Sequence, residues 1–103
     1  MDNLIEDLAK IWCSHLENIL LQEFPSSKTK FDFSKGAKYW KIFEHNDNGK
    51  HRSVHAFLEV ATGNIYKPAS WNKPAKHIRY NIFDKNFLQN VTDPHGGYLY
   101  IKR

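Results

Sequence analysis

The chain has 103 residues, of which 41% are hydrophobic and 25% are charged. This length fits one domain over residues 1–103, and the apolar content is too high for a disordered chain. No run approaches the ~18 apolar residues that span a bilayer, so we expect no membrane association. The single cysteine, Cys13, excludes an intrachain disulfide and fits a reducing compartment.

Charge is divided unevenly along the chain. Residues 1–24 carry one lysine against five acidic residues, whereas residues 25–103 carry fourteen lysines and arginines against six acidic residues. The asymmetry predicts an anionic partner for the basic part. It also fits an acidic segment that neutralises part of the basic sheet on which it packs, and the two interpretations are compatible.

Residues 1–24 are predicted to form a long amphipathic helix. Apolar residues recur there at three- and four-residue spacing, which is typical of one helical stripe. The stripe consists of Leu4, Ile5, Leu8, Ile11, Trp12, Leu16, Ile19, Leu20 and Phe24. Pro25 ends the helix, because proline disfavours helical geometry in the residue before it.

Beyond Pro25 the apolar period changes to two, which indicates strands. Residues 31–33 form a short first piece, and residues 38–45, 53–61 and 65–67 form an antiparallel meander. Turn signals at residues 46–49 and 62–64 separate these strands, since Asn, Asp and Gly tolerate the backbone of a reversal.

The alternation also assigns side chains to the two faces of the sheet. Tyr39, Lys41, Phe43 and His45 share one face of their strand, and His55 is expected beside Phe57 on one face of the next.

Residues 68–90 are expected to be irregular, because Pro68 and Pro74 forbid a regular central strand. Pro74 is expected to open a short helix through about Tyr80. After a reversal at 93–97, residues 98–101 are predicted to form a final strand. The fold class is therefore α+β, with one long N-terminal amphipathic helix (1–24) packed on an antiparallel sheet of about four strands (28–103).

Nothing in the sequence predicts catalysis, and we expect no enzymatic activity, catalytic residue, metal or cofactor. The six histidines are scattered, and His51 and His55 would lie about 13 Å apart in a strand. Ser53, His55 and Asp93 make a hydrolase-like set that nearly any chain of this length supplies. The acidic residues near Cys13 should raise its thiol pKa and keep it unreactive.

A basic-aromatic tract is the best candidate for a binding site. No acidic residue occurs between Glu59 and Asp84. Cationic side chains bind phosphate and flat rings stack on bases, so we expect ligand contact from this tract. The candidates are Lys67, Trp71, Lys73, Lys76, Arg79 and Tyr80. In the competing interpretation, Trp71 and Tyr80 cover the core and the lysines are only solvated.

Several short stretches resemble a group of small phage and prophage proteins without an assigned activity. They are residues 53–57 (with VHAF), 62–71 (of the form TGxxYKPASW), 74–76 and 96–100 (GGYLY). The resemblance covers about residues 37–103 and brings no catalytic residues. It implies a bacteriophage origin, action in the bacterial cytoplasm and a role outside the virion.

Two functions of different class follow. In the first, the chain is a non-enzymatic phage accessory protein that binds a phosphate-bearing ligand, either a nucleotide signal or nucleic acid. In the alternative, it is an inhibitor of a host or defence-system protein, of the anti-CRISPR type, and uses Trp71 or an exposed strand edge. The sequence leaves open whether the protein forms a homo-oligomer.

Overall fold

The computed structural model describes residues 2–46, 52–88, 92, 94 and 97–99. Within these ranges, one long helix is followed by five strands that pair antiparallel in sequence order. The elements are α1 (Asp2–Glu23), β1 (Lys30–Ser34), β2 (Tyr39–His45), β3 (Arg52–Glu59), β4 (Asn64–Pro68) and β5 (Pro74–Asn81). The α+β class is confirmed, with five strands where the sequence predicted about four. In the described ranges, no helix is both long and apolar enough to cross a membrane.

Helix α1 forms because its apolar residues can be buried along one side. Ile5, Trp12 and Leu16 are almost fully buried at helical spacing, whereas Leu4 and Ile11 are half exposed. The buried stripe is therefore narrower than the apolar pattern of the sequence. The Phe24 N–H still bonds the Leu20 carbonyl at 2.8 Å, and the helix ends before Pro25, as predicted.

The sheet has an inner face that packs against α1 and an outer face turned away from it. Strand register places Trp40, Leu58, Ile65 and Tyr80 in one row across β2–β5, on the inner face. The next row contains Lys41, Phe57, Tyr66 and Ile78 and belongs to the outer face. Trp12, Phe87 and Leu99 complete the core beside the inner row.

Carboxylates of α1 and β1 satisfy donors at the β1 edge. Glu17 accepts the Phe31 backbone N–H at 2.9 Å, and Asp32 accepts that of Phe33 at 2.8 Å. Glu6 also pairs with Lys35 in the β1–β2 connection. The acidic helix therefore does neutralise part of the basic region, as one interpretation of the charge asymmetry predicted.

His55 lies on the opposite side of the sheet from its predicted position beside Phe57. Ile42 pairs with Ala56 and Phe43 with Val54, so His55 is the extra residue of a β-bulge. A bulge re-aims a side chain, which simple alternation does not predict. The His55 ring is buried, and its centroid lies 5.6 Å from that of the Phe31 ring. Its Nε2 lies 2.6 Å from the Tyr98 hydroxyl oxygen.

Residues 74–80 form most of β5 and not the short helix predicted for them. Proline is compatible with a strand at its first residue and on a sheet edge, and Pro74 satisfies both conditions. Pairing of Ile65 with Tyr80 and of Asn64 with Asn81 fixes the strand. The segment predicted to be irregular, 68–90, therefore contains regular structure in its middle.

The predicted final strand at 98–101 is replaced at its start by a 3₁₀ turn, Gly97–Leu99. Tyr98 and Leu99 are both buried in the core cluster, so the start of this segment packs against the core and does not extend the sheet. Residues 100 and 101 lie outside the described ranges, as do most of the predicted reversals at 46–49 and 93–97.

The turn at residues 62–64 is confirmed. Gly63 has φ of 79°, and its N–H bonds the Glu59 carbonyl at 2.8 Å. A Cβ at this position would come within 2.6 Å of the Phe83 ring, so both backbone and space require glycine.

Candidate functional site

Trp71 is held on the outer face by the short connection between β4 and β5. The backbone N–H groups of Ala69 and Ser70 both bond the Lys73 carbonyl, which closes this turn. Trp71 is 38% exposed, and its ring centroid lies 6.2 Å from that of Phe43. The β4–β5 turn therefore brings a large ring over β2 and leaves part of it open to solvent.

Lys41 of β2 lies against this ring. Its Nζ is 3.9 Å from the Trp71 ring centroid and donates a hydrogen bond of 3.2 Å to the Asn72 side chain. On the next strand, the Arg52 guanidinium lies 5.4 Å from the Phe43 ring centroid. We name Lys41, Phe43, Arg52 and Trp71 the outer cluster. Its two aromatic rings contact each other, and one cation lies over each ring.

The surroundings of Lys41 disfavour its charged form. Burial lowers the pKa of Lys41, and the positive charge of Arg52 lowers it further. Among the described residues, no carboxylate lies within salt-bridge distance of either group. An anion placed between them would offset this repulsion.

The nearby carboxylates of the outer face are engaged elsewhere. Glu59 accepts hydrogen bonds of 3.0 Å from the hydroxyls of Thr62 and Tyr66, and these bonds lower its pKa. Asp32, which is paired with Phe43, accepts the Phe33 N–H. Neither Glu59 nor Asp32 forms an ion pair with the outer cluster. The positive charge of Lys41 and Arg52 is therefore available to a ligand.

Two shallow depressions lie along β2. One, of about 320 Å³, is lined by Lys38, Lys41 and Asn72 together with residues 34–36, 39 and 57. The other, of about 270 Å³, is lined by His45, Arg52 and Ser53 together with Thr29, Glu44 and Asn46. Each contains a cation of the outer cluster, and Phe43 lies between them along the strand.

The structure divides the tract that the sequence predicted. Tyr80 lies on the inner face, where its hydroxyl donates to the Tyr98 carbonyl at 3.1 Å and its ring contacts Phe87. It covers the core, as the competing interpretation held, and does not meet Trp71, which lies on the other face.

The basic residues of the tract lie in β4, in the following turn and in β5. Lys73 and Lys76 are exposed, and Lys67 is half-buried at the end of β4. Arg79 lies at the irregular pairing of β4 with β5, and its Nε is buried without a hydrogen-bond partner among the described residues. Ligand contact by these four residues stays a prediction.

Sequence reasoning missed the contribution of β2 and β3 to the site. Lys41, Phe43 and Arg52 lie outside the acid-free window, so a search along the chain did not find them. Alternation had already placed Lys41 and Phe43 on one face of their strand. That signal becomes a site only when the β4–β5 turn places Trp71 over the same face.

Two other kinds of reactive side chain form no candidate site. One is the thiol of Cys13, and the other is the set of possible metal ligands among the described residues. Burial raises the pKa of Cys13 to about 12, and Asp32 and Glu17 contribute to the increase. The predicted inertness of this thiol is therefore supported. Among the residues that the structure describes, no three His, Cys, Asp or Glu side chains are placed to hold a metal ion.

Comparison with known proteins identifies a family but no characterised relative. No curated protein and no solved structure matches the chain. One family model, described as "Family of unknown function (DUF7717)", matches residues 2–101. Since this match covers nearly the whole chain, the protein belongs to that family of unknown function.

Proposed function

We propose that the protein is a non-enzymatic binding protein whose outer cluster takes a phosphate-bearing ligand, either nucleic acid or a nucleotide. The observation that carries this proposal is the pair of cations Lys41 and Arg52, which lie over the rings of Trp71 and Phe43 respectively. Phosphate oxygens would bind the cations and a base would stack on an exposed ring. The resemblance to phage proteins adds the expectation that this happens in the bacterial cytoplasm.

The proposal is tested by charge reversal at the site against charge reversal elsewhere. Lys85 is exposed in the helical turn at 85–88, whose Phe87 contacts Trp12 in the core, so it lies away from the outer face. Lys41→Glu and Lys85→Glu change the net charge equally, and only the first alters the outer cluster. Arg52→Glu provides a second site variant at an exposed position.

The probes are a fluorescein-labelled single-stranded DNA of mixed sequence and a fluorescent ATP analogue, titrated in low salt. At least one probe should bind, with affinity lowered about tenfold or more by Lys41→Glu and Arg52→Glu, which corresponds to about 1.4 kcal/mol. Lys85→Glu should change it about twofold or less. Absence of binding to both probes, or equal loss in all three variants, would contradict the proposal, provided that melting curves show folded variants.

A protein partner is the second candidate, and the difference between the two sheet edges supports it. The β1 edge is occupied by the carboxylates of Glu17 and Asp32, whereas β5 ends the sheet with Ile78 56% exposed. An extended acidic segment could add to β5 as a further strand. In that case Ile78→Ser should prevent capture of one host protein, while Lys41→Glu should not.

A further inference from the structure

The cations of the outer face are arranged along β2. Lys38 precedes the strand, Lys41 lies in its first half, and Arg52 is paired with His45 at its far end. The seven residue steps from 38 to 45 correspond to about 23 Å at the rise of a strand. That length equals about seven nucleotide steps at the 3.4 Å spacing of stacked bases, and fewer in an extended chain.

The aromatic rings lie in the middle of this line. The rings of Trp71 and Phe43 meet at 61°, so they face different directions and suit different bases. Lys41 lies over one side of Trp71, while 38% of the residue remains exposed for stacking. Two rings flanked by cations match the requirements of a chain in which phosphates and bases alternate.

The two depressions are small and have separate linings along β2, so they do not form one enclosed nucleotide pocket. Their volumes of about 270 and 320 Å³ lie at the lower limit of pockets that bury a small molecule, roughly 300–1,000 Å³. Arg52 and Ser53 line one depression, and Lys38 and Lys41 line the other. Lys38 and Lys41 can take one backbone phosphate and Arg52 another, in the depression that Glu44 also lines, and Phe43 lies between the two.

We infer that the ligand of the outer cluster is a single-stranded nucleic acid that lies along β2, with backbone phosphates at the two depressions and bases on Trp71 and Phe43. The inference rests on the proposed function and narrows its ligand to a chain of about four to seven nucleotides. The protein then binds with little sequence preference, because every base offers a flat face to an aromatic ring.

The test is the dependence of affinity on ligand length, measured by fluorescence anisotropy with the full chain. The probes are fluorescein-labelled thymidine monophosphate and oligothymidines of about two, four, eight and twelve nucleotides. Affinity should rise about tenfold or more between two and eight nucleotides and then level off. The slope of log affinity against log salt should be about −1.4 to −2.1, as expected for two or three contacts with single-stranded phosphates.

Three variants separate the charge contribution from stacking. Lys41→Gln should reduce the magnitude of the salt slope by about 0.7, the loss of one phosphate contact. Trp71→Ala should lower affinity roughly 5- to 150-fold with the slope unchanged, since stacking releases no counterions. Trp71→Phe should recover most of this loss, and Lys85→Gln should leave both affinity and slope unchanged.

Two results would overturn the inference while leaving phosphate binding intact. The monophosphate could bind as tightly as the eight-nucleotide probe, which would indicate a nucleotide site. Alternatively, inorganic polyphosphate with the same number of phosphates could displace the oligothymidine equally well, which would show that the rings contribute nothing. Failure of every probe to bind is a different outcome and refutes the proposed function itself.

Discussion

Replacement of Leu16 by alanine tests whether α1 is a structural part of the fold. Leu16 is fully buried, in a core cluster with Trp12, Phe31 and Trp40. Since alanine is the best helix former, the substitution removes packing without weakening the helix itself. Lost burial and a residual cavity should lower the free energy of unfolding by about 2–5 kcal/mol.

This loss is large compared with the total stability of a small domain, about 5–15 kcal/mol. It should lower the melting temperature by at least about 8 °C, at about 4–8 °C per kcal/mol for a domain of this size. Circular dichroism melts of the full chain measure the shift. Leu4→Ala, at a position that is 50% exposed, is the matched control and should lower it much less.

Substitution at a second position of the helix should lower the melting temperature by an intermediate amount. Leu8 is partly buried against the same core, so Leu8→Ala should fall between the other two variants. If Leu16→Ala and Leu8→Ala both have the same melting temperature as the parent chain, the packing described for α1 is wrong. The helix would then be a free arm available to a partner.

Three further perturbations test local features. Cys13, with its pKa raised to about 12 by burial, should resist a thiol reagent at about pH 8 in the folded chain and react at once in urea. Hydrogen bonds from Thr62 and Tyr66 lower the pKa of Glu59 below 4.5, so its stabilising contribution is present above about pH 4.5 and is lost as the pH falls through the lowered value. Glu59→Gln should therefore lower the melting temperature at about pH 7, and its effect should decrease as the pH falls below about 4.5. Tyr98→Phe removes a buried hydrogen bond to His55 and should cost about 1 kcal/mol in urea unfolding, with far-UV circular dichroism unchanged.

Local patterns were sufficient for the features that depend on one element. The helical spacing of Ile5, Trp12 and Leu16 predicted α1 and its buried side, and Gly63 marked the turn before β4. In both cases the physical cause lies within a few residues: a stripe that must be buried, or a backbone conformation that needs glycine.

Features that depend on pairing between strands were not predictable in this way. His55 reached the core because of a bulge, which arises from the match of β2 to β3 and leaves no mark in the alternation of β3 alone. Residues 74–80 carry a proline that suits a helix start as well as an edge strand, and pairing with β4 decided between them.

The candidate site depends on the same long-range pairing. Trp71 was predicted as a contact residue from its basic surroundings, yet its neighbours in space are Lys41 and Phe43, about 30 positions earlier in the chain. Tyr80 was predicted with it because the two are close in sequence. Successive side chains of a strand point to opposite faces of the sheet, so two residues that are close in sequence need not lie on the same face.

The stretches that resemble phage proteins separate into structural and exposed parts when they are placed on the fold. His55 and Tyr98 come from two different stretches and form a hydrogen bond in the core. The Tyr66 hydroxyl donates a hydrogen bond to Glu59 on the outer face. These residues hold the sheet and its C-terminal segment together.

Trp71 is the last residue of the stretch 62–71 but remains 38% exposed, under a lysine whose charge has no carboxylate partner among the described residues. Exposure of a large ring and repulsion between Lys41 and Arg52 both oppose stability, so packing alone does not account for them. A ligand with a flat ring and a phosphate would cover the exposed ring and offset the repulsion between the two cations, and the outer cluster is therefore the candidate binding site.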